Sequence, residues 1–271
     1  MESLECQMIR NISHSIRRWI EKQPAVKEES ITDSLLYQIS EITPNVKYKA
    51  FTRTEEAKVT GADWEWWFVY PEYSFKMRVQ AKKLSLGKDH YSSIAYTNHY
   101  GLQIDKLIID ATTKNYAPFY AFYTAETGKV LCEHNINDEG VYLAGARKIY
   151  NSFIETGKKA VASLDILALS NALSCWFCCP NICHGHSVID FLRMYYPLEI
   201  EKKEPPTEMF KISNHLGFHK ETPNYVKSLL DINQKDIPDW WEREFSRDID
   251  GANAILICDK RKNINEPKVI I

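Results

Sequence analysis

The sequence lacks any run of about 18 apolar residues, the length that a helix needs to cross the core of a membrane. Its first residues, MESLECQMIRN, also lack a basic stretch followed by an apolar stretch, so we expect no secretory leader. Internal repeats and low-complexity tracts are absent as well. With 44% hydrophobic and 26% charged residues, the composition is that of a globular chain with a packed core, which we expect in the cytoplasm.

An excess of charge of one sign is missing too. Lys and Arg number 34 against 36 Asp and Glu, so no global basic field predicts nucleic-acid binding. A local basic groove on a near-neutral protein remains compatible with this balance. The seven cysteines are an odd number, and four of them lie between residues 175 and 183. This pattern favours free thiols or a metal site in a reducing compartment over a disulfide framework.

Hydrophobic periodicity in the first half of the chain predicts alternating helices and strands. Helices are expected at residues 3–22, 29–41 and 98–112, and strands at 46–52, 63–70, 75–84 and 118–123. This order predicts an α/β fold in which helices flank a mixed central sheet with an αβββαβ core.

The second half of the chain is expected to be mostly helical. Its predicted elements are helices at 140–156 and 158–174, a Cys/His-rich loop at 175–186, a polar linker at 199–224 and a last strand at 252–258. The chain therefore divides into an N-terminal helix (1–24), a core (25–130) and a mostly helical extension (131–271).

Charged side chains recur at alternate positions on two neighbouring predicted strands. Asp63 and Glu65 share one face of the first strand, roughly 7 Å apart by the rise of a strand. Arg78, Gln80 and Lys82 share one face of the second strand. A one-residue slip in pairing would move a whole set to the other face, so the matching parity favours a common site.

The turn between these strands sets the predicted pairing. With a four-residue turn that places Tyr70 opposite Phe75, Glu65 lies opposite Gln80. The same register places Asp63 opposite Lys82. Two carboxylates, an amide oxygen and an ammonium on one face are typical of a Mg²⁺ site, since magnesium is usually held by one or two carboxylates. The alternative is a solvated strand face with cross-strand ion pairs.

These residues resemble the core of the PD-(D/E)XK nuclease superfamily. Its pattern is a helix bearing an acid, then a hairpin with Asp on one strand and (D/E)-X-K on the next. Gln80-Ala81-Lys82 matches the Q-X-K variant of the Mrr-type restriction endonucleases. The segments GADWEWWF and FKMRVQAKKL also resemble an uncharacterised bacterial family with the same core. The resemblance covers about residues 25–125 and implies the restriction-endonuclease-like αβββαβ fold.

The resemblance, together with the charge pattern, assigns roles around a bound Mg²⁺ or Mn²⁺. The expected metal ligands are Asp63, Glu65 and the backbone carbonyl of Ala81. Gln80 would assist them, and Lys82 would serve the attacking water.

Further roles are implied on the helices and on the basic face of the hairpin. Glu29 would be the helix acid, with Asp33 one turn later as the competing choice. The helix after the hairpin would present Tyr100 and Gln103 over the site. The basic side chains of Arg78 and Lys83 would contact substrate phosphates. The alternative is that these charges only promote solubility.

The function expected from this pattern is that of a metal-dependent endonuclease, a phosphodiesterase that acts on nucleic acid. DNA is preferred to RNA as the substrate, and a role in bacterial defence follows from family analogy alone. A homodimer is left open. The competing hypothesis is an inactive, nuclease-like binding module, because Gln80 replaces an acid.

The Cys/His-rich loop is the second chemical feature. The spacing of Cys175, Cys178, Cys183 and His186 could close one tetrahedral structural Zn²⁺ site. Buried thiols are the competing interpretation, since free cysteine is among the most buried residue types. A thiolate at Cys178 paired with a nearby histidine is a third alternative.

Overall fold

A computed structural model of the chain describes residues 4–42, 44–51, 61–99, 101–134, 138–179, 188–202, 214–232, 238–245 and 251–261. Among these residues, eight strands form one mixed sheet. In chain order they are β1 (Val46–Ala50), β2 (Trp64–Val69), β3 (Ser74–Lys83), β4 (Ala117–Tyr123), β5 (Val141–Gly145), β6 (Ser170–Ala172), β7 (Phe218–His219) and β8 (Ala254–Asp259).

Helices lie between and around these strands. They are α1 (Leu4–Lys22), α2 (Glu28–Ser40), α3 (Gln103–Thr113), α4 (Ala146–Ile149), α5 (Ser163–Leu167), α6 (Val188–Tyr195), α7 (Pro197–Ile200), α8 (Asn224–Asp231) and α9 (Asp239–Glu244). A π-helical segment (Tyr150–Ile154) follows α4, and a 3-10 turn (Leu173–Trp176) follows β6. None of the described helices has the length and apolar character needed to cross a membrane.

The strands are ordered β1-β8-β2-β3-β4-β5-β6, and β7 pairs with the start of β3. The hairpin β2–β3 is antiparallel, whereas β8 runs parallel to β2 and β4 runs parallel to β3. Helices cover both faces of this sheet. The predicted fold class, a mixed α/β sheet flanked by helices, is confirmed.

The strand β8 lies inside the sheet, between the edge strand β1 and β2. Its residues Ile255, Leu256 and Ile257 are fully buried, as expected for an apolar run covered on both faces. Together with β5 and β6, it carries the sheet across the predicted boundary near residue 130. The described part of 131–271 therefore adds four strands to the core sheet besides its helices.

The register of the β2–β3 hairpin differs from the predicted register by two residues. Phe68 pairs with Phe75, and the amide of Tyr70 donates to the carbonyl of Tyr73 at 2.9 Å, so the turn has only two residues. Because the shift is even, every side chain keeps the predicted face. The partners change, however, and Glu65 now lies opposite a different residue of β3.

Two aromatic layers hold the sheet between its helices. On one face Trp66 stacks on Trp176 of the 3-10 turn at 6.0 Å, in the same core as Ile9 and Ile16 of α1. On the other face Trp67 packs with helices α8 and α9. Burial of such large rings contributes a major share of the hydrophobic stabilisation. This rigid sheet fixes the positions of side chains at the ends of β2 and β3.

A disulfide joins Cys6 in α1 to Cys178, which follows the 3-10 turn. The expectation of free thiols is therefore wrong for these two residues. The pairing spans 172 residues of sequence. Because the two cysteines meet only after the sheet has brought α1 to the second half of the chain, their spacing gave no signal for it.

Candidate functional site

Three separate parts of the chain meet beside the end of β3. Asp63 precedes β2, residues 80–83 end β3, and Gln103 begins α3. Gly61 permits this approach, because it has a positive φ of 73° and a Cβ there would lie 2.9 Å from the carbonyl oxygen of Gln103. A larger residue would suffer both backbone strain and a clash. The glycine of GADWEWW thus lets the chain before Asp63 pack against the start of α3.

The carboxylate of Asp63 is anchored on the backbone of β3. Its Oδ2 accepts a hydrogen bond of 2.7 Å from the amide of Ala81 and one of 2.5 Å from Nε2 of Gln80. The same Nε2 also donates to the carbonyl oxygen of Ala81 at 3.1 Å. One donor atom therefore lies between two oxygens that the sequence predicted as metal ligands. A cation that binds hard oxygens would be attracted to the same position.

Lys82 is connected to Asp63 through two amides. Its Nζ donates to Oε1 of Gln103 at 2.7 Å, and Nε2 of Gln103 donates to Oε1 of Gln80 at 2.9 Å. We call these five residues the Asp63 cluster: Asp63, Gln80, Ala81, Lys82 and Gln103. The structure thus brings the predicted residues Asp63, Gln80 and Lys82 together with Gln103, which the resemblance had placed near them. Tyr100, which was predicted beside Gln103, lies outside the described residues.

The helix acid that contacts the end of β3 is Glu28. Its Oε2 accepts a hydrogen bond of 2.6 Å from the amide of Lys83. Burial raises the pKa of Glu28 to about 7, and Asp63 adds to that rise, while Lys82 opposes it. Glu29, the predicted choice, is an exposed neighbour. The sequence pattern did not single out Glu28, because the predicted helix began one residue later, at Glu29. Hydrophobic periodicity does not distinguish two adjacent acids at a helix start.

An acidic cavity of about 200 Å³ opens beside Asp63. It is lined by Glu28, Glu29, Thr32, Asp33, Ala50, Phe51, Asp63, Asn253 and Ala254. Four carboxylates in one concave site create a negative potential that concentrates cations. Asn253 reaches this site only because β8 is inserted next to β2, so no local pattern of the sequence could have assigned it.

Glu65 lies on the predicted face but outside the Asp63 cluster. It is fully buried opposite Arg78, whose Nη2 lies 3.2 Å from its carboxylate. Hydroxyls of Tyr116 and Tyr225 donate to it at 2.9 and 3.0 Å, and Nε1 of Trp67 donates at 3.2 Å. These five residues form the Glu65 network. The two-residue shift in register thus places Glu65 in a buried ion pair. The predicted roles of Glu65 as a metal ligand and catalytic residue are corrected accordingly.

The two predicted substrate-binding cations differ in position. Arg78 is 1% exposed and also lies 3.5 Å from Asp110, so it presents no surface to a phosphate and that prediction is corrected. Lys83 is partly exposed, with its Nζ 2.6 Å from the carbonyl oxygen of Pro24. Its contact with a substrate stays a prediction.

A model of one protein family matches residues 5–263, nearly the whole chain. That family is described as a family of unknown function, DUF6615. The chain belongs to this family. No curated protein matches the sequence. The description of DUF6615 names no reaction. The geometry of the Asp63 cluster is therefore the basis for a functional proposal.

The predicted zinc ligands of this DUF6615 member are divided among different partners. Cys178 is bonded to Cys6, whereas Cys175 and Cys179 hydrogen-bond to Cys132 and hold the pKa of its thiol below the usual value. Cys183 and His186 lie outside the described residues. Within the ranges that the structure describes, no three or more His, Cys, Asp or Glu side chains are grouped to hold a metal. The zinc site stays a prediction.

Proposed function

We propose that the chain is a metal-dependent nuclease that hydrolyses phosphodiester bonds of nucleic acid. The proposal depends mainly on one observation. Asp63 Oδ2 and the carbonyl oxygen of Ala81 both accept a hydrogen bond from Nε2 of Gln80, so the two oxygens lie close enough to bind one cation. These are hard ligands that suit Mg²⁺ or Mn²⁺. Glu28, at the rim of the same cavity, would add a second carboxylate once it is deprotonated.

The chain's own residues divide the work around such an ion. When bound, the ion supplies charge that polarises a phosphate and lowers the pKa of a coordinated water. Lys82 has three donors, of which Gln103 receives one, so its ammonium can orient a water or stabilise a negatively charged oxygen. Gln103 holds this ammonium near the end of β3. The amides of Gln103 and Gln80 are neutral, so they position the ammonium of Lys82 without neutralising its charge.

The acidic cavity itself implies that substrate binding depends on the metal. A phosphate backbone is repelled by carboxylates unless a cation lies between them. Preference for DNA and a defence role rest on resemblance to the PD-(D/E)XK superfamily alone. A cytoplasmic setting is proposed from the composition of the chain.

A second candidate function, a binding module without catalysis, is favoured by one specific observation. Gln80 stands where most relatives of the superfamily carry an acid, and its amide already bridges Asp63 and Ala81. The cluster is therefore closed by hydrogen bonds without any metal. A protein that has lost its reaction would keep this arrangement.

Cleavage of plasmid DNA distinguishes the two candidates. Wild type is compared with Asp63→Ala and Lys82→Ala, with Mg²⁺, with Mn²⁺ and with a chelator. We expect metal-dependent cleavage by the wild type and a loss of about 100-fold or more in each variant. Asp138→Ala is the matched control, because Asp138 pairs with His14 at 3.1 Å and lies outside the cavity. Equal nicking by all proteins, or none by the wild type, would contradict the proposal.

A further inference from the structure

Tyr120 lies next to Gln80 in the sheet. The parallel pairing of β3 with β4 makes the two residues direct partners, so their side chains share the face of the Asp63 cluster. Tyr120 is fully buried, and its hydroxyl has no hydrogen-bond partner among the described residues. A buried hydroxyl without a partner has lost its hydration and gains no compensating hydrogen bond, which is unfavourable.

Several other buried tyrosine hydroxyls among the described residues have partners. Tyr123 shares a hydrogen bond of 2.9 Å with Thr32, and Tyr142 donates to the carbonyl oxygen of Glu139 at 3.0 Å. Native structures rarely leave such groups unsatisfied, and those that do usually hold a water, an ion or a functional role there. The hydroxyl of Tyr120 is therefore available to form a hydrogen bond with a bound polar atom.

The surroundings of this hydroxyl are negative. Burial raises the pKa of Tyr120 well above its usual value, and the charges of Asp63, Asp105 and Glu28 raise it further. The hydroxyl therefore keeps its proton near neutral pH. It can act as a donor to an oxygen atom, and a bound cation would place water oxygens close to the same carboxylates.

We infer that Tyr120 is a positioning residue of the proposed metal site, whose hydroxyl donates a hydrogen bond to a water molecule that accompanies the cation. The inference rests on the proposed nuclease function. Because the hydroxyl is fully buried, a substrate phosphate cannot reach it, whereas a single buried water is a common partner of such a group. Groups that act on a metal through a bound water or ligand typically change metal affinity or activity by about 10–100-fold.

The test compares Tyr120→Phe with Tyr142→Phe, which removes a satisfied hydroxyl from β5. For Tyr120→Phe we expect a Mn²⁺ affinity and a kcat about tenfold lower, an unchanged KM and an unfolding midpoint equal to or above wild type. For Tyr142→Phe we expect a lower midpoint with wild-type Mn²⁺ affinity and kcat. Calorimetric Mn²⁺ titration, plasmid cleavage and thermal unfolding give these values.

The outcomes separate this inference from the proposed function. Wild-type Mn²⁺ affinity and kcat in Tyr120→Phe, while the wild type cleaves, would overturn the role of Tyr120 and leave the nuclease intact. A parallel fall in stability and affinity in both variants would also overturn it, because the hydroxyl would then be structural. A wild type that neither binds Mn²⁺ nor cleaves overturns the proposed function and, with it, the role of Tyr120.

Discussion

The Asp63 cluster and the Glu65 network lie on the same face of one hairpin, two residues apart along β2. Glu65 is sealed from solvent and receives four hydrogen-bonding or ionic partners. Asp63 borders a cavity and is bridged to Lys82 by neutral amides. The alternation of side chains along a strand therefore identifies a polar face. The position of each acid along the strand determines whether a ligand can reach it.

The partners of each acid explain this division. Arg78 gives Glu65 a full counter-charge in the dry interior, where an unpaired carboxylate would be strongly disfavoured. The ammonium of Lys82 is bonded to Gln103, whose amide links it through Gln80 to Asp63. The Glu65 network is therefore expected to act in stability, and the Asp63 cluster in binding and catalysis.

The largest effect is expected from breaking the Glu65 network. Glu65→Ala leaves Arg78 buried without its main counter-charge, which we expect to lower the free energy of unfolding by about 3–5 kcal/mol. Urea titration measures this loss. A double variant, Glu65→Leu with Arg78→Met, removes both charges and should recover most of the stability. A loss below about 1 kcal/mol for the single variant would show that the network is not sealed.

The next effect is on metal affinity, and it should reverse the order of the two acids. Asp63→Asn keeps the shape of the side chain but removes its charge, so we expect a Mn²⁺ affinity about 100-fold weaker with little change in stability. Glu65→Gln, assayed well below its unfolding temperature, should bind Mn²⁺ within about threefold of wild type. Calorimetric titration compares the two. An equal loss in both variants would place the metal elsewhere.

Glu28 should make stability depend on pH, and Glu29→Gln, a change at its exposed neighbour, is the control. Folding raises the pKa of Glu28 from 4.5 to about 7, so its contribution is complete below the ordinary value and is lost as the pH rises through about 7. The shift corresponds to about 3 kcal/mol at most. Between pH 5 and pH 8.5, wild type and Glu29→Gln should therefore lose stability relative to Glu28→Gln in thermal unfolding. Parallel profiles for all three would refute the assignment.

The smallest effect is expected at Gln103. Gln103→Ala removes the acceptor that holds Lys82, so we expect kcat to fall about tenfold with KM nearly unchanged. Lys106→Ala on the same helix is the control, because Lys106 bonds to Asn98 at 2.5 Å instead of the cluster. If both variants retain wild-type kcat, Lys82 needs no support from α3.

Local patterns of the sequence predicted the parts of this site that local geometry decides. Alternation placed Asp63, Gln80 and Lys82 on one face, and resemblance to a nuclease core placed Gln103 near them. The register of the hairpin could not be read in the same way. It depends on whether Pro71 and Glu72 alone form the turn, and turn length changes partners without changing faces when the shift is even.

Long-range contacts account for what the sequence did not predict. The insertion of β8 between β1 and β2 brings Asn253 to the cavity, although it follows Asp63 by 190 residues in the sequence. The Cys6–Cys178 bond has the same character. Such contacts form only when the whole sheet is assembled, so periodicity in a short window carries no information about them.

Diffraction from crystals soaked in Mn²⁺ tests the central claim most directly, since the anomalous signal locates the ion. We expect one peak within about 2.5 Å of both the Asp63 carboxylate and the Ala81 carbonyl oxygen, with the Gln80 nitrogen displaced from between them. Density that keeps the Gln80 nitrogen between these oxygens at saturating Mn²⁺, with no peak beside Asp63, would contradict the account.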